Sequence, residues 1–367
     1  MRSLVVTVFG LVLLLGGGAA TSAGPKGWEL RPIIPSCRRG YFCEKDEIEG
    51  QRSRAGIVER LEQMADRALA ADGQLSLAFM SFVEPELFAR LCALARKGLR
   101  IDGFFDSRAG PPSGLGYRLE NECQRDFQRD SRRPNVRMFY MGMPKNGKGG
   151  WRLHHNKFIL AETGSGRVEM AFGSANLSFT GLAVNLENWN FLQAGWAEPF
   201  VSDHRCALAA MKVARAARTD QDDPETFRRR LDDCLSWEVP SSSEGVDRAL
   251  SELAVLTFFA PDPKDRIFLT LKGQIDRMGA GARIRMAAYL FMHKPLAEAL
   301  HAAVKRGVEV QLLIDDDILS SGVAIPAQKK FYREFIDSSV SGFRIRVYDT
   351  NEEIFQMQHN KFILSRT

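Results

Sequence analysis

The hexapeptide His155-Asn156-Lys157-Phe158-Ile159-Leu160 returns unchanged as His359-Asn360-Lys361-Phe362-Ile363-Leu364. In extended backbone, side chains two apart share a face. Each copy therefore sets an imidazole beside an ammonium, His155 with Lys157 and His359 with Lys361, while Asn156, Phe158 and Leu160 point the other way. A lone H-x-K arises by chance on many strands; its duplication is what carries information. If the copies face each other across a pseudo-twofold axis, two histidines and two lysines converge on one spot. That set suits a phosphate diester, with one imidazole attacking while the other protonates the leaving oxygen.

The likeness between halves extends outward from the hexapeptides. Ile57–Arg67 lays on Ile267–Arg277, and Leu75–Asp106 reads like Arg283–Asp315. Within that stretch Lys97-Gly98-Leu99 matches Arg306-Gly307-Val308, and each half then reaches an Asp after a short apolar run. Val136–Tyr140 answers Ile345–Tyr348 just ahead of each hexapeptide. Repeats this long indicate two fused copies of one domain, because solenoid periods are far shorter.

Each half alternates strand and helix signals. Leu75–Phe82 is a β-rich apolar run, Pro85–Lys97 is amphipathic at helical spacing, Gly98 stops it, and Leu99–Phe105 is a second strand. Such alternation predicts an α/β fold, here two similar lobes, each a mixed β-sheet flanked by helices. Trp237–Gly245 gathers Ser, Pro and Gly and reads as a linker, and the charged Ala197–Leu235 before it reads as a helical connector.

These residues resemble the phospholipase D superfamily, in its two-lobe secreted bacterial form, whose signature is H-x-K-x4-D followed by G-[GS]-x-N. The first copy carries His155, Lys157, Gly173, Ser174 and Asn176, with Glu187 eleven residues beyond the Asn. The resemblance covers the chain from about Ile57 onward and implies two phospholipase D-like lobes related by a pseudo-twofold axis. It divides the chain into a signal peptide (1–23), an N-terminal extension (24–50), lobe 1 (51–195), a helical connector and linker (196–247) and lobe 2 (248–367).

The resemblance also implies roles. One His forms a phosphohistidine and the other serves as acid and then base; His155 as nucleophile and His359 as acid is the assignment taken, with the reverse left open by symmetry. Lys157, Lys361 and Asn176 would bind the phosphate, Ser174 would support it, and Glu187 would fix a His tautomer. No cofactor and no metal are implied, since paired lysines and an Asn can neutralise the phosphate oxygens.

The chain departs from the signature in two ways. Glu162 and Arg366 stand where the family has Asp, and Arg366 puts the local geometry of the second copy in question. Nor does a second G-[GS]-x-N follow His359; matching the first copy would take at least twenty-four residues past Thr367, so lobe 2 reads as C-terminally incomplete and the chain as a fragment.

Weaker features complete the reading. Asp315-Asp316-Asp317 suggests either a cation site or, more in keeping with acids at a strand end, a solvated turn. His154 should face away from His155, into packing or solvent. The loop from Gly142 to Trp151 carries Lys145 and Lys148 among glycines and suits either substrate contact or plain solvation.

Arg2, the apolar run Leu4–Leu15 and small residues through Ala23 have the layout of a secretory leader, with cleavage after Ala20 or Ala23; an uncleaved anchor is the competing reading. Secretion or periplasmic placement would permit disulfides among the six cysteines, for which fifteen pairings exist and Cys37–Cys43 is the most local. No cysteine pair has C-x-x-C zinc spacing.

A net charge of +5 favours an anionic partner without choosing between a lipid surface and nucleic acid. Three functions stay open: a secreted phospholipase D-type hydrolase of phospholipid headgroups with peripheral membrane contact, a nuclease-type phosphodiesterase on DNA or RNA, and an inactive phosphate-binding module. The fused layout and the leader tilt the reading toward lipid, and a monomer is expected.

Overall fold

The computed structural model describes residues 3–7, 11–15, 29–33, 50–107, 114–124, 134–141, 154–164, 166–216, 224–235, 255–258, 266–289, 291, 293–316, 330–331, 342–348 and 357–366. In chain order the strands begin with β1 (Ser3–Thr7), β2 (Leu11–Leu15), β3 (Glu29–Ile33), β4 (Gln74–Phe79), β5 (Arg100–Asp106), β6 (Val136–Met141) and β7 (Lys157–Glu162). They continue with β8 (Arg167–Gly173), β9 (Glu187–Gly195), β10 (Val255–Phe258), β11 (Arg283–Ala288), β12 (Glu309–Asp315), β13 (Phe343–Tyr348) and β14 (Lys361–Arg366). The helices are α1 (Gly50–Ala70), α2 (Pro85–Arg96), α3 (Leu115–Glu122), α4 (Pro199–Ala216), α5 (Pro224–Cys234), α6 (Arg266–Asp276) and α7 (Lys294–Lys305).

These elements build two mixed sheets flanked by helices. The first runs β3-β9-β8-β7-β4-β5-β6 and the second β10-β2-β1-β14-β11-β12-β13. The hexapeptide strands hold matching places: β7 is antiparallel to β4, which is parallel to β5, and β14 is antiparallel to β11, which is parallel to β12. The linker expected over Trp237–Gly245 lies outside the described residues.

Matched helices cover both sheets for the same local reasons. α2 opens with Pro85 behind Glu84, whose carboxylate caps the Glu86 N–H; α7 opens with Pro295 behind His293, whose ring accepts the Leu296 N–H. Leu87, Leu91, Leu94 and Ala95 form the buried stripe of α2; Leu296, Leu300, Ala303 and Val304 form that of α7. Both helices end at a glycine in the left-handed region, Gly98 at φ 111° and Gly307 at φ 89°. The expected helix therefore ends one residue earlier than Lys97, which is its cap.

The first sheet is covered on both faces. Ile159 and Ala161 of β7 join a core with α1, α2, Phe79 and the fully buried Trp189. Phe158 and Leu160 face the other core, built with Phe200, Val201, Ala207 and Met211 of α4. The charged stretch expected to connect the lobes thus packs its α4 segment directly on lobe 1. Burying each large apolar side chain is worth about 1.5–3 kcal/mol.

Two disulfides staple this lobe, Cys92–Cys123 joining α2 to the end of α3 and Cys206–Cys234 joining α4 to α5. Cys37 and Cys43 lie outside the described residues.

The apolar run with a leader's layout supplies β1 and β2 of the second sheet, β1 pairing with β14 and β2 with β1 and β10. Among the described residues no helix is long and apolar enough to cross a membrane.

Burial holds His204 of α4 at about 4, against the pull of its hydrogen bond to the Phe200 carbonyl, and burial likewise holds His154 at about 4. Unfolded histidines titrate near 6.5. Between those values the unfolded chain binds protons that the folded chain refuses, so stability rises with pH across this window and is lost as pH falls through it. Urea unfolding at a series of pH values should show that slope, and H204Q should flatten it by about 1.4 kcal/mol per pH unit. A slope unchanged by H204Q would contradict the burial of a neutral imidazole there.

Candidate active site

Both histidines sit just ahead of their strands, since β7 begins at Lys157 and β14 at Lys361. The expectation that they lie within the strands is corrected by this two-residue offset, which takes each ring off the strand while the lysine stays in register. Lys157 points toward the same side as Ile159 and Ala161, as the alternation requires, and its Nζ is 2.9 Å from His155 Nδ1 and donates to the His155 carbonyl at 3.1 Å. Lys361 Nζ donates to the His359 carbonyl at 2.5 Å and lies 5.9 Å from the Tyr289 ring centre. The two imidazoles, 204 residues apart in sequence, meet edge to face with centroids 6.3 Å apart.

A main-chain seam between the lobes brings them there. Leu186 N–H donates to the Met357 carbonyl at 2.9 Å, and His359 N–H donates back to the Leu186 carbonyl at 3.0 Å. Flanking it, Met357 N–H donates to Asn185 Oδ1 at 3.1 Å, and Asn188 Nδ2 donates to Asn360 Oδ1 at 2.9 Å. Glu187 lies between these anchors, so its carboxylate reaches the other lobe: His359 Nδ1 bonds to Glu187 Oε1 at 2.8 Å. The sequence pointed to a histidine partner for Glu187 and left open which one; the partner is His359.

The G-[GS]-x-N turn supports that seam. A Cβ on Gly173 would fall 2.0 Å from the Asn188 carbonyl oxygen, so only glycine lets β8 and β9 approach this closely. Ser174 Oγ accepts the Asn188 N–H at 3.0 Å, which makes it a brace for the turn. Asn176 follows, its Oδ1 buried and without a hydrogen-bond partner among the described residues.

Electrostatically the pocket is a concentration of desolvated bases. Burial first, then Lys157, Lys361 and His359, lowers His155 to about 2. Burial and the Lys361 charge hold Lys157 well below its ordinary range, and burial lowers Lys361 to about 7 although Glu187 and Asp315 oppose it. His359 is lowered by burial, with Glu187 pulling the other way. Burial pushes Glu187 up, and His359, by charge and hydrogen bond, together with Lys361 brings it below the ordinary carboxylate range.

One expectation needs amendment. Asp315 is fully buried and accepts the Gln358 N–H at 2.5 Å, and Asp316 is buried too, so the acidic run is no solvated turn over those two residues; Asp317 lies outside the described residues. Its acids are turned to the protein because the end of β12 abuts the segment ahead of β14. His154 packs inward, its N–H donating to Asp106 Oδ2 at 2.9 Å. The Gly142–Trp151 loop, with Lys145 and Lys148, lies outside the described residues. Among the described residues no group of three or more His, Cys, Asp or Glu side chains could hold a metal ion.

Sequence reasoning missed Asn185, Asn188, Asn360 and Gln358. The signal was present in the asparagines spaced around Glu187 (NLEN) and in the Asn inside each hexapeptide, but it becomes legible only when the two segments are seen to pair.

Residues 275–367 match the family model described as cardiolipin synthase, PLD-like domain. No curated protein matches the chain. Among solved structures it is similar to NucT from Helicobacter pylori (11% identity, 57% of this chain and 99% of that one, TM-score 0.32). It is also similar to Nuc from Salmonella typhimurium, a phospholipase D family member (15% identity, 43% and 87%, TM-score 0.30). A third likeness is to phosphatidylserine synthase of Haemophilus influenzae Rd KW20 (8% identity, 91% and 83%, TM-score 0.43).

The depressed lysines make a binding prediction. Each must hold a proton to grip an anion, so binding takes up protons, and affinity falls as pH rises through about 7, where Lys361 loses its proton. Calorimetry with tungstate, a phosphate mimic already doubly charged at neutral pH, should show that loss, and K361Q should remove most of the pH dependence. Affinity that stays flat through this range would show the lysines to be fully charged before any ligand arrives.

Proposed function

We propose that this chain, a member of the phospholipase D superfamily, is a phosphodiesterase that releases phospholipid headgroups through a phosphohistidine intermediate. The observation that carries the reading is the pairing of two unlike histidines in one pocket, His359 with a carboxylate on Nδ1 and His155 among cations.

That inequality supports a division of labour. His155, neutral at working pH, has a ring-nitrogen lone pair for in-line attack on phosphorus. Lys157, Lys361 and Asn176 stand to bind the non-bridging oxygens and stabilise the charge that builds on them. The P–O bond to the leaving group breaks as His359 gives up the proton on its Nε2. Glu187 on Nδ1 favours the imidazolium needed for that step. In the second half, His359 takes a proton from water, whose oxygen displaces His155 from phosphorus and restores both rings. The site chemistry needs no divalent cation, because the two lysines occupy the role that metal ions play in other phosphoryl-transfer sites.

Lipid as substrate is supported by the description of the matched family, a cardiolipin synthase domain, and by apolar surface beside the G-[GS]-x-N turn. Val83, which is 53% exposed, bonds to the Leu177 carbonyl one residue past Asn176, and the part-buried Phe179 lies two residues further. Trp151, the other aromatic expected at the rim, lies outside the described residues. Export belongs to the same proposal, supported by the leader layout and by the two disulfides.

H155A and H359A should each lower turnover of bis(p-nitrophenyl) phosphate by about 10³-fold or more, and E187Q by about 10²-fold, with EDTA without effect. Strict dependence on added divalent cation, or normal turnover by H155A, would overturn the mechanism. With phosphatidylcholine or phosphatidylglycerol vesicles the expected product is phosphatidate. Cleavage of single- or double-stranded DNA without lipid turnover would move the assignment to a nuclease, and tungstate binding with neither activity would make the chain a phosphate-binding module.

The mature chain should begin at Thr21 or Gly24 when secreted. Intact mass retaining Met1 after export, with β1 still paired to β14, would rule the leader out.

A further inference from the structure

Each half of the sequence runs from its Lys/Arg-Gly turn to an Asp, Asp106 in the first and Asp315 in the second, and the phosphodiester chemistry leaves both without a task. Their side chains are essentially inaccessible, at 1% and 0% exposure. A buried carboxylate is costly unless it is engaged, so the site that engages each is informative.

The sheet register says what they reach. In lobe 1, Phe79 at the end of β4 pairs with Phe105 on one side and with Lys157 on the other. In lobe 2, Ala288 at the end of β11 pairs with Ile314 on one side and with Lys361 on the other. One residue beyond, the central strand has stopped in both lobes, and the Asp on one flank faces the residues that precede the Lys on the other. Across that gap Asp106 Oδ2 accepts the His154 N–H at 2.9 Å, and Asp315 Oδ2 accepts the Gln358 N–H at 2.5 Å. Each carboxylate thus takes the backbone N–H immediately before a histidine of the site. The same contact, in the same register, appears in two halves whose neighbouring side chains differ, His154 in one and Gln358 in the other.

We propose that Asp106 and Asp315 are paired positioning residues, each clamping the main chain one residue ahead of its histidine so that His155 and His359 are held at one phosphorus. The proposal rests on the phosphodiesterase reading for its kinetic consequence and on the register alone for its structural one. Without the clamp, the segment ahead of the Lys loses its main-chain hold on the neighbouring strand. In lobe 2 the seam through Leu186 gives that segment a second hold, through His359 N–H and the Met357 carbonyl.

The test compares alanine with asparagine at each position. Asparagine keeps an oxygen able to accept the N–H and gives up the charge. D106A should lower kcat on bis(p-nitrophenyl) phosphate by about 10²-fold with KM nearly unchanged, the size expected when a reacting group is displaced by about 1 Å. D315A should lower it in the same way, and D106N and D315N should recover most of the loss. D102N, in another buried carboxylate that pairs with Arg137 and Lys212 far from the histidines, should cost comparable stability and leave kcat alone. Amide hydrogen exchange by NMR gives the structural readout: the His154 and Gln358 amides should be protected in the wild type and the asparagine variants, and exposed in the alanine ones. Unchanged kcat in folded D106A and D315A, or asparagine variants as damaged as alanine with their amides still protected, would overturn the proposal. A wild type that cleaves no diester yet shows the expected protection pattern would instead count against the phosphodiesterase reading and leave the clamp in place.

Discussion

Leu186 and Gln358 come together as an isolated parallel bridge, and the arrangement of charge in the pocket depends on it. A carboxylate in a buried setting needs a partner fixed to within hydrogen-bond reach, and a side-chain contact between two long, separately mobile residues would not fix one. Here the main chain does it. Once Leu186 donates to the Met357 carbonyl and accepts from the His359 N–H, Glu187 is set beside the imidazole, and the asparagines on either side brace the register. Gly173 and Ser174 belong to the same device at one remove, because they set how closely β8 can hold the Asn188 end of it.

The pocket that results is unfavourable to itself. Burial strips these bases of water, and for Lys157 and His155 neighbouring positive charge adds to it, which is why Lys157, Lys361 and His155 all sit below their ordinary proton affinities. An anion entering between them favours the charged forms, so binding draws protons onto groups that burial had left short of them. The fold offsets the cost elsewhere: two apolar layers sandwich β7, and disulfides tie the helices that lie over them.

The duplicated H-x-K strands, the two α/β lobes and the paired helix-glycine turns were all legible in the residues, because each depends on local periodicity that repeats. What sequence left undetermined has a common cause. The destination of Glu187, the burial of Asp315 and Asp316, and the roles of Asn188 and Asn360 are set by pairing between segments roughly 40 to 170 residues apart. Periodicity within either segment carries no trace of its partner. The offset of the histidines from their strands is a subtler miss: alternation fixes which way a side chain points and says nothing about where hydrogen bonding to the neighbour begins.

The seam also governs how the molecule can move. A two-lobed protein is often pictured as a hinge, yet opening here would break the Leu186–Met357 and His359–Leu186 main-chain bonds together and take the His359 imidazole from the buried Glu187 carboxylate. Rotation of one lobe against the other about this line would therefore cost all of these contacts at once.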